Sequence, residues 1–173
     1  QVLQPPSETP KREGSIIASG TPAGTLDQSL LNEVNAAIDR GLEWLAAKQN
    51  ADGSWSDSNF PALTALATRA FIEGNHPKKK AVVDKAVKYI LSCVQKDGGI
   101  YKVVEGRKGG GLSNYNTAIC MATLHATKDP ALTPIVLDAR KFVAGSQLMG
   151  DDEYKGGFGY DRKTNRAYTD LLN

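Results

Sequence analysis

The chain has 173 residues, of which 40% are hydrophobic, and a formal net charge of +2. That composition fits one globular domain and excludes a disordered or fibrous chain, and so small a charge leaves no electrostatic footprint for nucleic acid. A domain this long buries roughly two-thirds of its unfolded surface, so it needs no metal or disulfide staple.

Residues 1–26 are rich in Pro, Ser, Thr and Gly and lack apolar periodicity. They read as a flexible linker, with a partner-binding peptide arm as the functional alternative, because such composition buries too little surface to offset its ordering entropy. The chain opens on Gln1 without a basic-then-apolar signal layout, so it is expected to be processed or trimmed. The compartment stays open: export after signal removal or the cytoplasm. The domain is expected over residues 27–173, its first helix capped by Asp27 or Ser29.

Leu30, Leu31, Val34, Ala37, Ile38, Gly41, Leu42 and Leu45 follow a helical period. The turn Asn50-Ala51-Asp52-Gly53 ends that helix, with Gly53 free to take the left-handed conformation. A second helix runs from Pro61, suited to a first turn, to Gly74. The third covers Lys79 to Gln95, and the basic run Lys78-Lys79-Lys80 reads as its solvated start. A glycine-rich connection, 97–111, leads to a fourth helix, Tyr115 to Ala126, that scarcely has a polar face and reads as buried. A fifth begins at Thr133-Pro134, threonine as cap and proline in the first turn, and ends near Leu148. The remainder is loop plus the start of a sixth helix. No segment shows period-2 alternation, and no apolar run reaches 18 residues, so the class is all-α with no membrane-spanning helix.

A punctuation mark recurs at the ends of the odd-numbered helices. It reads Gln49…Gly53-Ser54-Trp55, then Gln95…Gly99-Ile100-Tyr101, then Gln147 followed after an insertion by Gly157-Phe158. The glutamines stand 46 and 52 residues apart, the spacing of helical-pair repeats. A glutamine in the last turn can bond main-chain groups that a helix end leaves free. The glycine permits reversal, and the aromatic folds back over the end. The device clamps helices and performs no chemistry.

These residues resemble the Gln-Trp repeats of the squalene cyclase and prenyltransferase superfamily, from about Asn32 to Asn173. The segments Gln49 to Trp55, Gln95 to Tyr101 and Tyr115-Asn116-Thr117-Ala118 are similar to its bacterial squalene cyclase-like members. The resemblance implies an α/α toroid, with helices one, three and five outside and two, four and a sixth inside. Five to seven hairpins make the superfamily's full ring, so this chain is expected to be an incomplete arc. Its exposed apolar inner faces would be covered by further repeats or by self-association.

The superfamily's chemistry is missing. There is no D-x-D-D acid motif, and Asp151-Asp152-Glu153 reads as a solvated loop. Cys93, Cys120, His76 and His125 lack the spacing of a zinc site, and the thioester string Gly-Cys-Gly-Glu-Gln is absent. The glycines 109–111 lack the strand and lysine-serine pair of a phosphate loop. No cofactor is implied. The two cysteines read as buried thiols, and by themselves specify no disulfide. What remains is a polar and aromatic set at the expected cavity mouth: Tyr115, Asn116, Tyr160, Asp161, Tyr168 and Asp170. Such groups around an apolar hollow suit a hydrophobic ligand, or they are helix caps and loop-packing aromatics. Two functions compete: a non-catalytic toroid domain that binds a hydrophobic small molecule or a protein, and part of a terpenoid cyclase or prenyltransferase whose acid motif lies outside these residues.

Overall fold

The structure, a computed structural model, describes residues 27–104, 111–151 and 153–162; the expected linker lies outside them. Its helices are α1 (Gln28–Lys48), α2 (Pro61–Glu73), α3 (Lys79–Ser92), α4 (Ser113–Ala126) and α5 (Thr133–Ala144), with a 3-10 turn at Pro130–Leu132. Among the described residues the one extended pairing is an isolated bridge between Val94 and Ile100. The all-α class follows from these elements. None of the helices described is long and apolar enough to cross a membrane.

The helix ends obey local chemistry, with two departures from the sequence reading. Asp27 does cap α1, its carboxylate accepting from Ser29 N at 3.2 Å. Thr133 does not cap α5: Leu132 holds that position with no side-chain bond, and Asp129 instead caps the preceding 3-10 turn through Ala131 N at 2.9 Å. The third and fifth helices also stop short of Gln95 and Leu148. After α3 the chain leaves the helix early because Tyr101 N bonds Cys93 O at 3.0 Å, and after α5 because Leu148 N bonds Gly157 O at 2.9 Å.

Packing follows from which faces are apolar. α2 lies against α3 and α4, α4 lies against α5, and α1 touches α2 lightly. The larger core gathers Ala65, Tyr89, Ile90, Cys93, Cys120 and Leu124 around Ile100, and a smaller one joins Leu42, Trp55, Phe71 and Val82. α4 is not buried all round as its composition suggests. Ala122 and His125 are exposed while Asn114, Asn116, Thr117 and Thr123 are buried, since those polar side chains find partners inside. α1 departs further: Leu42 is its one buried residue, and Leu30 and Val34 remain 45% and 42% exposed.

Candidate functional site

The turns that end α1 and α3 share one hydrogen-bond plan. In the first, Asn50 N donates to Ser54 O at 2.8 Å and Gly53 N to Asn50 O at 3.0 Å. In the second, Gln95 N donates to Gly99 O at 2.8 Å and Gly98 N to Gln95 O at 3.0 Å. Asp52 Oδ1 accepts from Ser54 N at 3.0 Å, and Asp97 Oδ1 from Gly99 N at 3.1 Å. Gly53 and Gly98 have φ of 93° and 84°, a region that disfavours any side chain. A threonine then seals each turn: Trp55 N donates to Thr64 Oγ1 on α2 at 3.1 Å, and Ile100 N to Thr117 Oγ1 on α4 at 2.9 Å.

This geometry sets Asn50 opposite Gln95, one residue away from the register the glutamines suggest. The third turn makes the point. Gly156 N donates to Leu148 O at 2.7 Å, and Gly156 has φ of 88°. Gln147 Nε2 donates to Gly156 O at 2.9 Å as Gln49 Nε2 donates to Gly53 O at 3.1 Å. Gln49 and Gln147 are therefore matched, and Val94 holds their place in the middle turn. Gln95 does another task, bonding Tyr101 O at 2.7 Å and Cys93 O at 3.3 Å.

The group that bonds the end of α1 is the indole, not the glutamine. Trp55 Nε1 donates to Leu45 O at 2.8 Å, with the ring buried and stacked 6.1 Å from Phe71. Gln49 instead reaches across to Val82 O on α3 at 3.0 Å. Buried Ile100 occupies the corresponding place in the second turn. Tyr101 sits one residue further on, its ring 5.7 Å from Phe142 and its hydroxyl donating to Asp97 Oδ2 at 3.0 Å. Burial, with help from Asp97, pushes that phenol above its ordinary value. Phe158 is half-buried after Gly157.

The first two turns rest on the backbone of the next odd-numbered helix. A Cβ on Gly53 would lie 2.4 Å from Lys85 O of α3, and one on Gly98 would lie 3.0 Å from Asp138 O of α5. A Cβ on Gly156 would meet the Gln147 side chain alone, at 3.9 Å.

The polar and aromatic set converges on the first turn of α4. Tyr115 and Tyr160 rings are 5.8 Å apart and half-buried. The Tyr160 carbonyl accepts from Asn114 N at 2.9 Å and Tyr115 N at 3.1 Å, and Asp161 Oδ1 accepts from Ser113 N at 2.8 Å. A carbonyl and a carboxylate thus occupy the positive end of the helix, where an anionic ligand would otherwise sit. Asp161 Oδ2 is buried without a hydrogen-bond partner among the described residues. Asn116 is fully buried; its Oδ1 accepts from Ala62 N at 2.9 Å and its Nδ2 donates to Gly111 O at 2.7 Å and Leu112 O at 3.1 Å. It ties the starts of α2 and α4 together. Tyr168 and Asp170 lie outside the described residues. Among the described residues the set closes helix ends and pairs no nucleophile with a base.

Elsewhere, Cys93 and Cys120 are buried free thiols, and burial pushes the Cys120 thiol up. Cys120 is buried and His125 exposed, so they do not face a common centre. His76 is buried against Phe71 and bonds Glu43 Oε2 at 2.7 Å, while its Nδ1 accepts from Lys78 N at 3.2 Å. Asp151 is solvated and pairs with Lys155 at 3.1 Å. Two grooves flank the carboxyl end of α4. One, of about 760 Å³, lies between α4 and α5 and is walled by Met121, Leu124, Val136 and Leu137. The other lies against α2 and α3. Sequence reading missed the sealing threonines, whose signal was their repeated setting in Leu63-Thr64-Ala65-Leu66 and Asn116-Thr117-Ala118-Ile119. Comparison with protein-family models, with curated proteins and with solved structures gives no match.

Proposed function

We propose that this chain is a non-catalytic helical-hairpin scaffold of the squalene cyclase-like α/α-toroid type, which holds a hydrophobic small molecule or a protein segment between its helices. The observation that carries this reading is the repeated turn, sealed by a threonine of the following even-numbered helix and seated on the next odd-numbered one. Such a joint builds a curved wall from nearest-neighbour contacts. In that wall α2 and α4 line the concave side, and their apolar groups supply the binding surface: Leu63 and Leu66 of α2, 37% and 51% exposed, and the α4–α5 groove. Further repeats or a second copy would cover the same faces.

The test is binding of an apolar fluorescent probe at micromolar protein, with Leu137→Asp as the variant. Leu137 is 47% exposed in the α4–α5 groove, so the change spares the fold. Probe binding that is weakened at least about tenfold, the effect of roughly 1.4 kcal/mol, supports the reading; no probe binding, or binding indifferent to Leu137, removes it. Incubation with squalene or a prenyl diphosphate is expected to give no product, and turnover would favour the enzyme alternative.

A further inference from the structure

The second groove flanking α4 lies at the opposite end of the helices from the sealed turns and has a chemistry of its own. Its volume is about 1200 Å³. Val83, Val87 and Leu91 form one wall, spaced every fourth residue along α3 and half-buried. They make an apolar strip of two helical turns, about 12 Å long. Ile72 and Leu132 add to it from α2 and the 3-10 turn.

Five basic side chains and three acidic ones border this strip. Most are already engaged. Arg69 pairs with Glu73 at 2.7 Å and Lys80 with Asp84 at 2.6 Å. Lys79 donates to the last carbonyls of α2, Ile72 O at 2.6 Å and Gly74 O at 3.1 Å. Asp129 caps the 3-10 turn. The side chains of Lys88 and Lys128 have no hydrogen-bond or ion-pair partner among the described residues, and both are exposed at the groove.

Lys128 is also conformationally misplaced. It follows the end of α4 with φ of 58° and bonds back through its N–H to His125 O at 3.1 Å. Glycine is the residue this left-handed position favours, and a lysine there costs about 1 kcal/mol. A strained backbone position at the mouth of a groove marks a candidate for a role that local stability does not explain.

We propose that this groove binds a single-chain anionic amphiphile, its alkyl tail along Val83, Val87 and Leu91 and its headgroup at Lys88 and Lys128. A fatty carboxylate is the simplest such ligand. An uncharged chain would leave the excess of positive charge unmatched, and a free anion would leave the apolar strip wet. The inference does not rest on the scaffold reading above, which concerns other faces.

The experiment titrates the full chain with hexadecanoate, hexadecanol and hexadecyltrimethylammonium, each below its micelle concentration, by calorimetry. Hexadecanoate is expected to bind at least about tenfold more tightly than the other two, as one charge-assisted contact would provide. Lys128→Gly should reduce that preference about tenfold while leaving the melting temperature equal or higher, because it relieves the backbone. Lys88→Gln should weaken hexadecanoate alone. Leu137→Asp, in the other groove, should change nothing. Equal binding of all three probes, no binding, a Lys128→Gly variant with unaltered preference, or loss of binding in Leu137→Asp would each overturn the proposal.

Discussion

Trp55 joins three contacts that no other residue of the first turn duplicates: its indole N–H closes Leu45 O, its ring lies on Phe71, and its main-chain N–H is sealed by Thr64. Trp55→Ala removes the first two and leaves a buried cavity, so urea unfolding should show a loss of about 3–5 kcal/mol. Asn116 is the polar counterpart. Asn116→Leu strands Ala62 N and Gly111 O inside the protein, while Leu112 O keeps the main-chain N–H of residue 116, and should cost about 2 kcal/mol by the same measurement. Glu43 gives a pH signature instead. The hydrogen bond from Lys78, then that from His76, holds its carboxyl below the ordinary 4.5. A depressed carboxyl adds stability that is present above its unfolded pKa and lost as the pH falls through the folded value. The urea midpoint of the wild type should therefore exceed that of Glu43→Gln at neutral pH, with the gap closing below pH 4.5. A gap independent of pH would show that Glu43 acts through packing alone.

At the scale of elements, α1 and α4 show that burial follows neighbours rather than composition alone. α1 carries an apolar stripe, whereas α4 has scarcely a polar face. α4 lies between α2 and α5 and buries five polar side chains, Ser113, Asn114, Asn116, Thr117 and Thr123, each of which finds a hydrogen-bond partner. α1 touches α2 lightly and leaves Leu30 and Val34 in water. Hydrogen exchange should accordingly be much faster across the first half of α1 than across α4, since local opening follows buried contact. Gly41 lies within α1, and a Cβ there meets no atom within 4 Å. Gly41→Ala should raise stability by about 0.5–1 kcal/mol through backbone entropy, read from the urea midpoint. The repeat itself is an element-scale device that sequence alone misaligned by one residue. Glutamine is the conspicuous letter, but the bonds that recur belong to main-chain atoms, an aspartate, a positive-φ glycine and a threonine from the next helix. Thr169 stands in a similar string, Tyr168-Thr169-Asp170-Leu171, outside the described residues.

At the scale of the whole molecule, the sealed turns lie at one end of the helices and the basic groove at the other. The candidate mouth residues fall at the first end, and most of their polar atoms close the start of α4. The open surfaces are apolar faces of α1 and α2 and the two grooves beside α4. Light scattering of the 173-residue chain at tens of micromolar should detect association through those faces; a compact monomer across that range would show that they tolerate water.

The sequence by itself determined the five helices described, the start of α1 at Asp27 or Ser29, the turn at Gly53 and the burial of both cysteines. Each depends on neighbours a few residues away or on apolar periodicity, which local order records. Only the tertiary structure decided which polar residues are buried, which helix the first two turns lean on, and that the side chains of Lys88 and Lys128 meet no partner among the described residues. Those properties belong to residues tens of positions apart, and no local pattern encodes whether a hydroxyl or an ammonium will meet its match across the fold.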